Sequence, residues 1–170
     1  MTVRIVLTGS ECTGKTTLAR ALGEHYGVPV APEYLRDYFI ANRGVLTLAD
    51  AEPIARGQVA GEIALERAGI NPLICDTNIL SSVVYNHHYY GESPVWIEEQ
   101  LDRRVYNHYL LCAIDVPWVS DGQRDMPEGR EYMQALFREE LQRRGLSFTE
   151  LSGLPETRLK QALHIIDALL

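Results

Sequence analysis

Gly9-Ser10-Glu11-Cys12-Thr13-Gly14-Lys15-Thr16 decides the fold, because it matches G-x-x-x-x-G-K-[ST] at every fixed position. The motif needs a buried strand before it and a helix after it. Here the apolar run Val3–Thr8 leads in, and Thr16-Thr17-Leu18-Ala19-Arg20-Ala21-Leu22 begins a helix-forming stretch. Glycines at both ends let the backbone curl, so that successive N–H groups of Ser10 to Thr17 can point inward at phosphate oxygens. The start of the following helix adds its own unpaired N–H groups and the positive end of its dipole. In that setting Lys15 is expected to reach the β- and γ-phosphates of ATP, and the Thr16 hydroxyl to bind Mg²⁺.

Outward from this loop, short apolar runs alternate with longer amphipathic stretches, the pattern of a mainly parallel sheet with helices on both faces. Strands are expected over Val3–Thr8, Val28–Ala31, Pro72–Cys75, Tyr109–Ile114 and Ser147–Leu151. Helices are expected from Gly14 to about Tyr26, from Thr47 to about Ala68, over Glu128–Arg144, and from Pro155 to the C-terminus. Pro53 should kink or restart the second of these. Tyr85–Pro94 reads as a helix end and a loop, and Val116–Gly129, with its prolines and glycines, as a long loop. The expected architecture is α/β: a P-loop NTPase three-layer sandwich on a five-stranded, mainly parallel sheet, with residues 1–170 as one domain.

Composition narrows the function classes. The chain has 170 residues and a formal net charge of -7, which argues against a nucleic-acid partner. Its three cysteines, Cys12, Cys75 and Cys112, form no CxxC pair, so neither a disulfide framework nor a structural zinc site is expected. The first apolar run enters the glycine loop directly, unlike a signal peptide, and no run is long enough for a membrane span. The expected location is the cytosol. The guanine-reading N-K-x-D motif of GTPases is missing, as is an LSGGQ-like transporter signature. A small-molecule kinase fits what is left.

Two carboxylates follow expected strands: Glu33 in Ala31-Pro32-Glu33-Tyr34-Leu35-Arg36, and Asp76 in Cys75-Asp76-Thr77-Asn78. In an open parallel sheet, ligands bind beyond the carboxyl ends of the strands, so both should face the crevice of the phosphate loop. One could take the proton of a substrate hydroxyl; the other could hold Mg²⁺ or a sugar hydroxyl. Arg124 and Arg130, in and beside the long loop, are candidates for neutralising charge on the transferred phosphoryl group. Arg36 could reach the substrate or pair with Asp37 or Glu33.

The runs GSECTGKTTLARAL, APEYLRDY, LTLADAEPIARGQ, CDTN, DVPWVSDGQRD and LSGLPETRLKQAL together resemble the ribosylnicotinamide kinase domain of the NadR-type NAD-salvage proteins, over nearly the whole chain. The resemblance implies ATP-dependent phosphorylation of the ribose 5′-hydroxyl of nicotinamide riboside. It also implies that Glu33, Tyr34, Arg36 and Asp76 line the nucleoside side, and Tyr38 and Asn78 are expected among the substrate-binding residues. Trp118, Asp121, Gln123 and Arg124 would belong to the lid, and Gly153 and Pro155 would lie near adenine. Tyr34, Tyr38 or Trp96 could stack on the pyridinium ring. Longer members of the family carry an adenylyltransferase domain ahead of the kinase. This sequence opens on the kinase's first strand, so a kinase activity alone is expected.

Overall fold

The computed structural model describes residues 1–117 and 129–170. Five strands form the sheet: β1 (Arg4–Thr8), β2 (Val30–Ala31), β3 (Leu73–Asp76), β4 (His108–Cys112) and β5 (Phe148–Leu151). Their order is β2-β3-β1-β4-β5, and every neighbouring pair is parallel. The register places Leu7 opposite Asp76 on β3 and opposite Leu110 on β4. All carboxyl ends therefore meet at one rim, with the phosphate loop at its centre.

Successive side chains of a strand point to opposite faces, and the sequence uses that alternation. Val6, Leu73, Cys75, Tyr109 and Leu111 pack into one core with residues of α3 (Leu48–Arg67), α4 (Ile79–Tyr90), α5 (Val95–Arg103) and α6 (Arg130–Arg143). Ile5, Leu7, Ile74, Leu110 and Cys112 pack on the other side against α1 (Lys15–Tyr26) and α7 (Pro155–Asp167). The result is the expected three-layer α/β sandwich.

The departures from expectation are local. The β2 strand is only Val30–Ala31, shorter than the apolar run suggested. The α3 helix runs through Pro53 as one element rather than restarting. Pro53 lies in its second turn, where a single backbone bond is lost, and the buried face of Ala51, Ile54, Ala55 and Val59 holds the turn against the core. A capping box between Thr47 and Asp50 fixes its start. The helix α4 extends to Tyr90 and takes in most of the stretch expected to be loop. Asn78 caps it by accepting from Leu80 N at 3.1 Å, and Gly91, at φ 75°, closes it. Two short helices escaped the pattern, α2 (Tyr34–Ala41) and α5. α2 is only eight residues long, shorter than the window in which the period of an apolar stripe such as Leu35, Tyr38 and Phe39 can be read.

Candidate active site

The phosphate loop is held open by backbone geometry and by side chains reaching it from distant helices. Gly9 has φ 123° and Gly14 φ 83°. A Cβ at Gly9 would lie 3.0 Å from Cys112 O and 3.1 Å from Gln134 Oε1, so only glycine fits. Gln134 of α6 accepts from Ser10 N at 2.9 Å and donates to Cys112 O at 3.0 Å, tying the loop to the end of β4. The Thr13 hydroxyl donates to Ser10 O at 2.9 Å. Lys15 Nζ donates to Ser10 O at 2.6 Å and Gly9 O at 3.1 Å, which places its ammonium over the loop.

Beneath Lys15 the ends of β1 and β3 meet. Thr16 Oγ1 donates to Asp76 Oδ2 at 2.7 Å. The other carboxylate oxygen, Asp76 Oδ1, is buried and has no hydrogen-bond partner among the described residues. A hydroxyl and a carboxylate side by side, with one oxygen to spare, suit a hard cation that takes few protein ligands and several waters. Asp76 is followed by Thr77 at φ 65°, a strained conformation for a β-branched residue.

Glu33 sits at the N-terminal cap of α2, 3.6 Å from Arg36 Nε. Burial in the cleft pushes its carboxyl above the ordinary range; Lys15 pulls it down and Asp76 pushes it up. Its side chain keeps 26% exposure, consistent with a recessed group at the mouth of a crevice. Glu33, Lys15 and Asp76 therefore feel one another's charge.

Two clefts flank the loop. The first, about 440 Å³, runs from the phosphate loop past Glu33 and Arg36 to Phe39, Tyr85, Tyr89 and Tyr90. Tyr85 and Tyr89 are near-parallel with ring centroids 6.1 Å apart, and Tyr85 meets Phe137 of the core edge-on. The second, about 320 Å³, lies on the far side, between Thr17, Leu18 and Ala21 of α1, Val116 and Pro117, and Gly153, Pro155 and Arg158.

Of the residues expected at the site, Gly9, Glu11, Cys12, Thr13, Gly14, Lys15, Thr16, Thr17, Glu33 and Arg36 line the first cleft, and Gly153 and Pro155 the second. Ser10 is buried inside the loop. Asn78 is turned to the core, capping α4 and donating to Tyr109 OH at 3.1 Å. The Tyr34 ring packs over Gly57, and Tyr38 OH donates to Asp50 at 2.9 Å, so neither tyrosine is on the cleft wall. Trp96 lies under the Arg56 guanidinium at 4.0 Å, packed against the core. Arg130 Nη1 donates to Cys12 O and Val116 O, which makes it a brace of the loop. Trp118, Asp121, Gln123 and Arg124 lie outside the described residues.

Sequence reasoning missed the aromatic wall, although Tyr85 and Tyr89 at i and i+4 share one helix face. It also missed Gln134 and Arg158, whose roles depend on long-range packing and leave no local signal.

A family model for the AAA domain matches residues 4–158. The trifunctional NAD biosynthesis/regulator protein NadR of Escherichia coli (strain K12) is 26% identical over 154 residues, covering 86% of this chain and 37% of the relative. Its counterpart in Salmonella typhimurium matches to the same extent. The chain thus spans well under half the length of these relatives. Among solved structures, NadR protein in complex with NR superposes with a TM-score of 0.76 at 24% identity, covering 99% of this chain and 48% of that one. NadR in complex with NAD and AMP-PNP gives 0.76 at 21% identity, covering 97% and 49%. Thymidylate kinase from Ehrlichia chaffeensis gives 0.66 at 19% identity, covering 96% and 98%. The fold is that of the P-loop kinases, and with a match running from β1 into α7 the chain belongs to the AAA domain family.

Proposed function

We propose that residues 1–170 act as one P-loop kinase domain that transfers the γ-phosphoryl group of ATP to nicotinamide riboside, yielding nicotinamide mononucleotide and ADP in NAD salvage. The observation that carries this is the convergence of Lys15, the Thr16–Asp76 pair and Glu33 at the head of a cleft whose far end is aromatic. A nucleoside has that same order: a reacting hydroxyl, a polar sugar and a flat ring. The likeness to NadR solved with NR, and with NAD and AMP-PNP, supports the choice of substrate and of nucleotide.

In this proposal ATP lies across the phosphate loop with its base in the second cleft, beside Gly153 and Pro155. Backbone N–H groups of the loop and Lys15 hold the phosphates. Thr16 and Asp76 hold Mg²⁺, which when bound offsets charge on the phosphate oxygens. That leaves Glu33 as the proton acceptor: its carboxylate takes the 5′-hydroxyl proton as the hydroxyl oxygen bonds to the γ-phosphorus and the β–γ bridge breaks toward ADP. A carboxylate whose affinity for protons is raised by burial is better matched to that task than an ordinary one. Arg36 lies beside it at the substrate. The pyridinium ring rests against Tyr85 and Tyr89, through π and cation–π contact. Arg124 is assigned the charge developing on the transferred group. The expected setting is the cytosol; no helix of the described residues is long and apolar enough to cross a membrane.

The test is ADP release by the purified chain with Mg-ATP against a panel of nucleosides. Selective turnover of nicotinamide riboside is expected. Turnover of another nucleoside instead would keep the mechanism and replace the substrate. Tight ATP binding with no turnover of any acceptor would overturn the kinase reading in favour of a nucleotide-binding sensor module.

A further inference from the structure

Arg158 of α7 is a buried guanidinium, 3% exposed, that bonds to all three loops leaving β1, β4 and β5. Nη1 donates to Thr13 O of the phosphate loop at 2.5 Å. Nη2 donates to Ala113 O at 3.0 Å and pairs with the Asp115 carboxylate, both just after β4. Nε donates to Gly153 O at 3.1 Å, after β5. Asp115 completes the ring by accepting from Gly153 N at 2.6 Å. The side chain also forms part of the second cleft's wall, and its Nη1 would lie 3.6 Å from a Cβ at Gly14.

Burying a guanidinium is costly unless its N–H groups are used, and here four acceptors are supplied by the loops themselves. A planar fork fixes the relative position of its acceptors in a way a flexible ammonium does not. The carbonyl of Thr13 is the one just before Gly14, so holding it sets the direction of the neighbouring loop N–H groups.

We infer that Arg158 is a positioning residue that couples the base pocket to the phosphate loop, through Gly153 on one side and Thr13 on the other. This rests on the proposal that the second cleft takes the base of ATP. It predicts that one side chain governs both the base and the phosphate contributions to nucleotide binding, although it is placed to touch neither reacting atom.

The experiment compares Arg158→Met and Arg158→Lys with the native protein, measuring calorimetric affinity for ATP and for inorganic tripolyphosphate, and KM and kcat for ATP. In Arg158→Met, affinity for ATP should fall at least about tenfold and for tripolyphosphate at least about threefold. KM for ATP should rise with kcat changed less than KM. Arg158→Lys, which keeps the charge and loses the fork, should fall between. A loss confined to ATP would mean that Arg158 only packs the base pocket, and unchanged affinities would mean it does neither; both overturn the coupling. Should Arg158→Met fail to fold, Arg158→Lys is judged by the same two affinities. If the native protein binds no ATP, the kinase proposal fails; if it binds ATP and the variants match it, only this inference fails.

Discussion

The ring of Tyr34 occupies the space a side chain at Gly57 would need: a Cβ there would stand 2.2 Å from both Cε1 and Cζ. This contact matters because α2 buries no residue of its own. It rests on α3 through that ring, through Tyr34 N donating to Gln58 Oε1 at 2.9 Å, and through the Tyr38–Asp50 hydrogen bond. Glu33 precedes Tyr34 directly, so the seat of Tyr34 on Gly57 sets where Glu33 stands.

Replacing Gly57 with alanine should therefore act at a distance. The ring must move or α2 must lift, at a cost of about 1–3 kcal/mol. kcat/KM for the phosphoryl acceptor should fall on the order of tenfold, since roughly 1.4 kcal/mol of lost positioning of the proposed proton acceptor is a tenfold effect. KM for ATP should stay close to native, because α2 does not touch the second cleft. Steady-state kinetics with each substrate varied in turn checks this; equal changes in both constants would count against it.

Glu33 makes the protein's stability depend on pH in a definite direction. Its folded carboxyl binds protons more tightly than the ordinary value of 4.5, chiefly through burial. In the window from 4.5 up to the raised value, the unfolded chain releases this proton while the folded chain keeps it. Stability is then fully present below 4.5 and falls as pH rises through that window. Glu33→Gln should remove this fall, and so gain on the native protein as pH goes from 4.5 to neutrality. Urea melts of both proteins across that range measure the difference, in which Glu62, also raised by burial, cancels. The same variant should lose about 10²–10⁴-fold in kcat as a missing proton acceptor. The acid limb of kcat/KM in the native protein should lie above the ordinary carboxylate range.

Asp76→Asn probes the carboxylate that accepts from Thr16. The amide oxygen can still take the Thr16 hydroxyl hydrogen bond, so thermal stability should change little. The negative charge proposed to face Mg²⁺ is gone. The Mg²⁺ concentration for half-maximal rate should rise on the order of tenfold to a hundredfold. Turnover at saturating Mg²⁺ should fall on the order of 10²-fold or more. A magnesium titration of the rate is the check, and an unchanged midpoint would leave Asp76 without a metal role.

What the sequence displayed follows from what is local. The phosphate loop is legible because its glycines are demanded by backbone angles at Gly9 and Gly14. The sheet is legible because Ile5, Val6 and Leu7 must satisfy two cores from one strand. Asp76, the last residue of β3, and Glu33, just past β2, are legible as positions at the carboxyl ends of strands. Which face a helix shows is a different matter. Tyr34 and Tyr38 are as aromatic as Tyr85 and Tyr89, and only the packing of α2 on α3 turns the first pair away from the cleft and leaves the second pair in it. Gln134 and Arg158 lie far along the chain from the phosphate loop they brace, at separations of 124 residues to Ser10 and 145 to Thr13, and nothing in their neighbours announces that contact.

The two clefts share Cys12, Gly14 and Thr17, so a single turn of backbone divides them. A molecule that joins a nucleotide to an acceptor through a short phosphate bridge would therefore need no gap in the protein to thread. It would lie over the loop with one arm in each cleft, gaining from both as a single tethered ligand. Changes at the dividing turn would weaken both arms together, and the length of the bridge that binds best would gauge how far apart the two reactants are held.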